Sequence, residues 1–299
     1  MHAALTYFQA VVMGLVQGVT ELFPVSSLGH GVLVPALLGW HNLVNSQSKS
    51  ESFFLAFLVG LHVGTAVALL VYYRDRWITY FNGLGRQVAT VPERGVASLW
   101  RLSDPSVDAD YRLLVLLVIA TIPVGLTGLI FEHKFRVLFA KPMAAAIFLT
   151  INGVILLFGE RLRRARGRHV AHQELETLSV RAAFLIGCSQ ILALFAGISR
   201  AGSSMVAGLL GGLSHEDAAN FSFLLATPVI LAAGLLKIPD LFGPLGDGVR
   251  YQTLVGALCA GVAAYVAVRY LTRYFTTKTL TPFGIYSLLA GVACVIRFA

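Results

Sequence analysis

Residues 24–30 read Pro-Val-Ser-Ser-Leu-Gly-His and interrupt an apolar region that extends over residues 4–39. Proline and glycine end or bend helices, and serine favours the position just before a helix begins. The apolar run before the break is short, because residues 14–23 as a helix would cover only about 15 Å, half the hydrocarbon thickness of a bilayer. Irregular backbone at membrane depth is tolerated only where protein or water surrounds it. We therefore predict a re-entrant hairpin with its tip inside the protein.

A second apolar region, over residues 182–213, is broken in the same way by Gly197-Ile-Ser-Arg-Ala-Gly-Ser-Ser204. The two regions resemble each other when the chain is shifted by 173 residues. The shift places Gly14, Gln17, Ser26, Gly29, Leu37 and Gly39 on Gly187, Gln190, Ser199, Gly202, Leu210 and Gly212. The matched glycines and serines at the breaks are the informative part. They predict a second re-entrant hairpin whose tip meets the first.

Six further segments are apolar and close to the ~20 residues that a spanning helix needs. They are residues 53–73, 113–131, 142–159, 221–237, 254–271 and 283–298. Three spans follow each hairpin, and because three is odd the second half enters from the opposite side. The sequence therefore predicts an all-α integral membrane protein, an inverted-topology repeat of two re-entrant helix hairpins plus six transmembrane helices. Residues 1–299 would form a single membrane domain, with repeats over 1–160 and 181–299.

The composition favours the same class of protein. Hydrophobic residues make up 57% of the chain and charged residues 13%, with a mean hydropathy of +0.75. A soluble domain of this size could not cover its surface with so few charges. The net charge of +8 would suit a nucleic-acid partner, but the basic residues lie in short loops between apolar segments, so we exclude nucleic acid.

The basic residues also predict an orientation. Most of them fall on the face that collects residues 74–112, 160–181, 214–220 and 269–282. The positive-inside rule assigns this face to the cytoplasm. The basic loop over residues 160–181, which links the two repeats, is therefore predicted to be cytoplasmic, and both termini are predicted to lie outside.

Polar and titratable side chains cluster at the first break. Gln17 and Glu21 are four residues apart and share a helix face, where the carboxylate, assisted by the amide, could bind a hard cation. Ser27 and His30 are three residues apart, so we expect the hydroxyl and the imidazole to meet, an arrangement that suits nucleophilic or acid–base catalysis. The alternatives are a protonated Glu21 in a packed interface, Ser26 as an ordinary N-cap, and His30 as a satisfied core residue.

The second break carries Arg200, the one Arg or Lys that the predicted spans place inside the membrane. A guanidinium binds phosphate as a fork, and the free N–H groups at the start of a helix attract it as well. We therefore predict a phosphate-binding set made of Ser26, Ser199, Arg200, Gly202, Ser203 and Ser204. The alternative is an Arg200 that simply pairs with Glu21. His62, in a spanning segment, is predicted to be a core hydrogen-bonding residue.

Both breaks resemble signatures of the undecaprenyl-diphosphate phosphatase family, also called bacitracin-resistance proteins. Residues 17–30 are similar to its first signature and residues 197–202 to its second, and residues 220–228 and 281–286 fit as well. The resemblance implies an enzyme that hydrolyses undecaprenyl diphosphate to the monophosphate and inorganic phosphate, with Mg²⁺ or Ca²⁺. It implies recycling of the lipid carrier for peptidoglycan synthesis and bacitracin resistance. It also implies a plasma-membrane protein among membrane lipids, often a homodimer, with its site open to the outer face.

The resemblance also assigns roles to residues. The family's catalytic positions fall on Glu21, Ser27, His30 and Arg200, with Ser199 as a further phosphate binder and Glu21 as a metal or base candidate. Whether Ser27 or His30 is the nucleophile stays open. Gln17 stands where many members have Glu, which weakens a two-carboxylate metal site. The alternative function is a secondary transporter of an anionic, phosphate-bearing substrate, because inverted repeats with broken helices are typical of transporters too.

Overall fold

The computed structural model describes residues 5–47, 53–139, 141–165 and 175–299, and the regular elements there are helical. The α-helices are, in chain order, α1 Tyr7–Leu22, α2 Ser27–Leu37, α3 His41–Gln47, α4 Phe53–Tyr72, α5 Arg74–Ala89, α6 Val91–Arg94, α7 Ala109–Phe139, α8 Pro142–Ala165, α9 Val180–Ser189, α10 Arg200–Leu210, α11 His215–Phe242, α12 Arg250–Tyr274 and α13 Thr281–Phe298. Short 3-10 helices add Val96–Trp100, Leu175–Thr177, Gln190–Leu194 and Pro244–Gly246. The predicted all-α class is confirmed.

Five helices are long and apolar enough to cross a membrane, namely α7, α8, α11, α12 and α13. They account for five of the six predicted spans. The sixth, residues 53–73, is α4, which bends by 74° into α5. The bend follows the sequence, because the apolar run ends at Arg74-Asp75-Arg76 and charged residues are costly in hydrocarbon. The chain is thus a multi-pass membrane protein; of the predicted basic link over 160–181, residues 166–174 lie outside the described residues.

The first predicted hairpin is the helix pair α1 and α2, joined by an irregular segment. A capping box starts α1, in which Thr6 Oγ1 and Gln9 Oε1 accept hydrogen bonds from each other's backbone N–H groups. Because of this early start α1 has 16 residues and covers about 24 Å, more than the about 15 Å expected from residues 14–23. Pro24 cannot continue the helix, and Ser26 caps α2 by accepting from Gly29 N–H at 3.1 Å.

The second predicted hairpin consists of α9, the 3-10 turn Gln190–Leu194 and α10. Ser179 caps α9 by accepting from Ala182 N–H at 3.1 Å. Ser199 caps α10 by accepting from Gly202 N–H at 3.0 Å. Each such cap stabilises a helix by about 1 kcal/mol. Both breaks therefore restart a helix with the same serine-to-glycine hydrogen bond.

Small residues let the broken helices approach their neighbours closely. A Cβ on Gly14 of α1 would lie 2.3 Å from Gly256 O of α12, and a Cβ on Gly187 of α9 would lie 2.4 Å from Ala120 O of α7. Between apolar helices in a membrane, close van der Waals packing supplies much of the association energy. This packing holds the two breaks side by side, with α4, α8, α11 and α13 all reaching them.

Candidate active site

The two breaks contact each other directly. Ser26 Oγ accepts hydrogen bonds from Gly29 N–H of its own helix at 3.1 Å and from Gly197 N–H of the other break at 3.2 Å. A Cβ on Gly29 would lie 2.8 Å from Gly197 Cα, and Gly197 has a φ of +116°, so glycine is needed at both positions. Ser26 itself has a φ of +71°, which costs about 1–2 kcal/mol, and these contacts hold it there.

Glu21 lies at the centre of the site, with its side chain only 6% exposed. One carboxylate oxygen, Oε2, accepts hydrogen bonds from Ser27 Oγ at 2.5 Å and from Gln17 Nε2 at 3.1 Å. The other oxygen, Oε1, accepts from the Arg200 guanidinium, whose Nη2 is 3.2 Å away and whose Nε is 3.4 Å away. Because Arg200 compensates the charge of the Glu21 carboxylate, the ion pair offsets part of the free-energy cost of burying that charge. Three side chains predicted for the site, those of Gln17, Ser27 and Arg200, therefore meet around the Glu21 carboxylate.

Ser27 is the serine of this break that a ligand can reach. Its side chain is half-buried, whereas the neighbouring Ser26 is 2% exposed and its oxygen already accepts two N–H groups. The Ser27 hydroxyl donates to Glu21, so its proton already points at an acceptor. A hydroxyl hydrogen-bonded to a carboxylate is the arrangement of an activated nucleophile and its base.

His62 of α4 adds an imidazole to the surroundings of Glu21. Its Nδ1 lies 2.8 Å from Leu58 O, and because a carbonyl oxygen only accepts, Nδ1 carries a proton. Its Nε2 faces Glu21 Oε2 at 3.4 Å, and the His62 side chain is 25% exposed. The prediction that His62 is a hydrogen-bonding core residue is confirmed by its bond to Leu58 O, but the prediction did not include the contact with Glu21.

His30 does not meet Ser27 as the spacing of three residues predicted. Its Nδ1 lies 2.8 Å from Ser26 O, and its Nε2 lies 2.8 Å from the Tyr286 hydroxyl, with the two rings stacked 5.9 Å apart. The carbonyl can only accept, so Nδ1 donates and the neutral Nε2 accepts from Tyr286. Ser27 is the first residue of α2 and its hydroxyl reaches back to Glu21 instead. The predicted contact between Ser27 and His30 is therefore wrong, and the ring of His30 instead links the Ser26 carbonyl to Tyr286 of α13. A catalytic role for His30 stays a prediction.

The predicted phosphate-binding residues surround the start of α10. Arg200 is the first residue of that helix, and its Nη1 donates to Ser222 O of α11 at 3.3 Å. Ser204 Oγ lies 2.7 Å from Ser222 Oγ and donates to Arg200 O at 2.9 Å. These bonds fix the plane of the guanidinium next to Glu21.

Three of the remaining members of that set, Ser26, Ser199 and Gly202, support the local backbone at the breaks. Ser26 and Ser199 cap α2 and α10, and a Cβ on Gly202 would lie 3.0 Å from Leu156 and 3.3 Å from Pro24. Ser203 is 3% exposed, and its hydroxyl has no hydrogen-bond partner among the described residues. Phosphate binding by all six residues of the set stays a prediction.

Sequence reasoning missed several polar residues that reach the breaks from other helices. They are Asn152 of α8, Ser222 of α11, and Tyr286 and Ser287 of α13. For Asn152 a signal existed, because a lone amide in an apolar spanning segment is costly and calls for partners. Ser222 and Tyr286 lie in residues 220–228 and 281–286, the two further runs that fit the family, but neither run indicates which break its side chain would reach. Ser287 has no comparable signal.

The residues around Glu21 offer few ligands for a resident metal ion. Within the described ranges, no three His, Cys, Asp or Glu side chains lie close enough together to hold one. Gln17 directs its Nε2 at Glu21, and Arg200 occupies the other carboxylate oxygen. Mg²⁺, however, commonly binds through one or two carboxylates together with the phosphates of a substrate. Glu21 and Gln17 therefore fit a cation that arrives with a phosphate-bearing ligand.

Fold and site together define the class of protein: a multi-pass membrane protein in which two helix breaks bring a serine, a carboxylate and an arginine to one buried place. The chain also matches a known family over most of its length: residues 10–293 fit the family described as "Bacitracin resistance protein BacA". The chain belongs to this family.

Several relatives are similar over their whole length. "Undecaprenyl-diphosphatase 2" of Frankia alni is 50% identical, with 100% of this chain and 99% of that protein aligned. "Undecaprenyl-diphosphatase" of Mycolicibacterium paratuberculosis is 51% identical over the same shares. "Undecaprenyl-diphosphatase 2" of Burkholderia orbicola is 44% identical over 95% of this chain and 94% of its own.

Proposed function

We propose that this protein hydrolyses undecaprenyl diphosphate to undecaprenyl phosphate and inorganic phosphate. The activity recycles the lipid carrier for cell-wall synthesis and confers bacitracin resistance. The observation that carries the proposal is the hydrogen bond from Ser27 to Glu21 beside the Arg200 guanidinium, in a chain that aligns end to end with undecaprenyl-diphosphatases.

The geometry suggests how the residues act. Arg200 exchanges part of its contact with Glu21 for the terminal phosphate and holds it as a fork. Ser27 Oγ attacks the terminal phosphorus and passes its proton to Glu21, and the bond from phosphorus to the bridging oxygen breaks, releasing undecaprenyl phosphate. Glu21 gives this proton to the departing lipid phosphate and becomes a carboxylate again. Water then attacks the phosphoserine and passes a proton to Glu21. The bond from phosphorus to Ser27 Oγ breaks, Glu21 returns the proton to Ser27 Oγ, and inorganic phosphate leaves. His62 and Gln17 keep the carboxylate oriented through their contacts with Oε2.

Mg²⁺ or Ca²⁺ is proposed as the cofactor, held by Glu21 and Gln17 together with oxygens of the diphosphate. Such a cation would neutralise part of the diphosphate charge. The protein side of this site is weak, as it has a single carboxylate, so the diphosphate itself would supply most of the ligands.

Gln17→Glu tests this cation site. The substitution adds a second carboxylate one helical turn from Glu21, and hard divalent cations bind more tightly as ligand charge rises. We expect the half-saturating Mg²⁺ or Ca²⁺ concentration to fall by about tenfold, with a smaller change in maximal rate. A metal titration of phosphate release for both proteins measures it. An unchanged metal requirement would place the cation elsewhere.

His30→Asn and His30→Gln separate positioning from chemistry at His30. An asparagine amide can replace Nδ1–H as a donor to Ser26 O, whereas the amide of glutamine reaches the position of Nε2. We expect His30→Asn to stay within about tenfold of wild-type turnover and His30→Gln to lose about 100-fold, because the break is then unsupported. Initial rates of phosphate release compare them. Equal, complete loss in both variants would indicate that the imidazole takes part in the reaction itself.

The finer architecture is proposed to be an inverted-topology repeat of two re-entrant hairpins and six spans. The equivalent caps of Ser26 and Ser199 support it, as does the equivalent packing of Gly14 on α12 and of Gly187 on α7. The contacts between spans follow the same symmetry: α4, the first span of one repeat, contacts α12 of the other, and α11, the first span of the second repeat, contacts α7 of the first. The broken helix of each repeat thereby packs against the second span of the other repeat.

The proposed setting is the plasma membrane, with the basic loops in the cytoplasm, the site open to the outer face and the lipid substrate entering from the bilayer. A homodimer is proposed by resemblance to the family. Cysteine labelling with membrane-impermeant reagents tests the orientation. Cysteines placed at exposed Arg269 and at exposed Tyr251 are expected to react from the cytoplasmic and the outer side, respectively.

The rival function is secondary transport of a phosphate-bearing anion, which broken helices would also serve. Purified protein in detergent decides between them, because transport needs two compartments and hydrolysis does not. Metal-dependent release of phosphate from undecaprenyl diphosphate supports the enzyme. No phosphate release, together with accumulation of labelled phosphate or lipid phosphate in proteoliposomes, would support the transporter.

A further inference from the structure

Asn152 makes hydrogen bonds that link both breaks to the rest of the protein. It lies in α8 with 0% of its surface exposed. Its Nδ2 donates to Pro24 O at 3.0 Å and to Ser287 Oγ at 3.1 Å, and its Oδ1 accepts from Ser199 N–H at 2.9 Å. One amide thus binds the backbone of the first break, the backbone of the second break and a side chain of α13.

These backbone groups need a partner of this kind. Pro24 O and Ser199 N–H belong to segments where the helical hydrogen-bond pattern is interrupted, and inside a membrane no bulk water replaces it. Among side chains of this size, an amide offers a donor and an acceptor at once. Aspartate would accept from Ser199 N–H but would set an oxygen against Pro24 O, and an aliphatic side chain would satisfy neither.

The two backbone groups that Asn152 bonds lie close in sequence to Ser27 and Arg200, the residues of the proposed reaction. Pro24 precedes Ser27 by three residues, and Ser199 directly precedes Arg200. The bond from Gly197 N–H to Ser26 Oγ also connects the breaks, and the ion pair of Arg200 with Glu21 joins the start of α10 to the end of α1. In the proposed reaction Arg200 gives up part of its contact with Glu21 to bind phosphate. The Asn152 bonds use backbone groups that take no part in the reaction, so they can hold the orientation of the breaks while substrate is bound.

We propose that Asn152 is a positioning residue that sets the separation and orientation of Ser27 and Arg200 by bonding Pro24 O and Ser199 N–H. The inference rests on the proposed phosphatase function. Its physical basis is that reacting groups must be held within a fraction of an ångström, since a displacement of about 1 Å can cost about 100-fold in rate.

Asn152→Asp and Asn152→Ser test the proposal on the full-length protein. Both keep a polar group at a buried site, and serine is the uncharged variant to use should the aspartate charge prevent folding. We expect turnover of undecaprenyl diphosphate to fall by about 10- to 100-fold while KM stays within about threefold. Ser287→Ala is the matched control, because it removes the one partner of Asn152 that belongs to neither break. Its turnover should stay within about twofold of wild type.

A combination with Arg200→Lys distinguishes positioning from plain loss of stability. If Asn152 acts by placing Arg200, Asn152→Ser should cost little more activity once Arg200 has become lysine. Wild-type turnover in both Asn152 variants, or a loss that multiplies fully with that of Arg200→Lys, overturns the positioning role. Wild-type protein without diphosphatase activity would instead overturn the proposed function, so the two failures are distinguishable.

Discussion

Replacing Ser27 with alanine is expected to lower phosphate release from undecaprenyl diphosphate by at least about 1,000-fold. The Ser27 hydroxyl is the nucleophile in the proposed reaction, and it already donates its proton to Glu21 at 2.5 Å. Alanine removes the attacking oxygen and leaves the neighbouring Ser26 cap in place. Initial-rate measurements on equal amounts of monodisperse protein give the loss directly.

Ser189→Ala is the control for that substitution. Ser189 also lies in a broken helix region, but its hydroxyl donates to Ile186 O of its own helix at 2.6 Å and faces no predicted site residue. Its loss should leave turnover within about twofold of wild type. If Ser27→Ala keeps more than a tenth of wild-type activity, another group attacks phosphorus and the Ser27–Glu21 bond serves only to join α1 to α2.

Replacing Arg200 with lysine is expected to lower turnover by about 100-fold or more, although the positive charge remains. The guanidinium contacts Glu21 through Nε and Nη2 and Ser222 O through Nη1, so its plane is fixed before a ligand arrives. A lysine ammonium can pair with Glu21 but cannot hold a phosphate as a fork. The loss should appear in the maximal rate, because the fork matters most as charge develops on the phosphoryl group.

Arg269→Lys, at an exposed position of α12, provides the matched control and should behave as wild type. The comparison also addresses the alternative that Arg200 only neutralises Glu21. In that case Arg200→Lys would keep near wild-type turnover, because a lysine ammonium compensates the carboxylate charge equally well. Such a result would remove Arg200 from the phosphate-binding set.

The sequence was sufficient to predict where the helices break. Pro24, Gly29, Gly197 and the two capping serines are residues whose backbone preferences act locally, and the breaks lie where they predicted. Five spanning helices also follow from hydropathy alone. The length of α1 was underestimated, because the capping box at Thr6 and Gln9 lies before the run used to measure it.

The details of the site depended on contacts between distant parts of the chain. Spacing correctly paired Gln17 with Glu21, which share a helix. It wrongly paired His30 with Ser27, because the Ser26 carbonyl and the Tyr286 hydroxyl of α13 bond the two ring nitrogens of His30. His62 and Asn152 illustrate the same limit. Nothing local to α4 or α8 tells which break their side chains will face, since that is decided by how the helices pack.

Attack by Ser27 on the terminal phosphorus can be tested by a quench experiment with undecaprenyl diphosphate labelled in its terminal phosphate. During turnover we expect a fraction of the wild-type protein to carry an acid-stable phosphoserine in the peptide that contains Ser27, and Ser27→Ala to carry none. Phosphoserine survives acid, whereas phosphohistidine is lost in acid and survives alkali. Acid-labile label at His30 would contradict attack by Ser27. So would the absence of label from every residue, under acid and alkaline quenches alike, in wild-type protein that releases phosphate at its full rate.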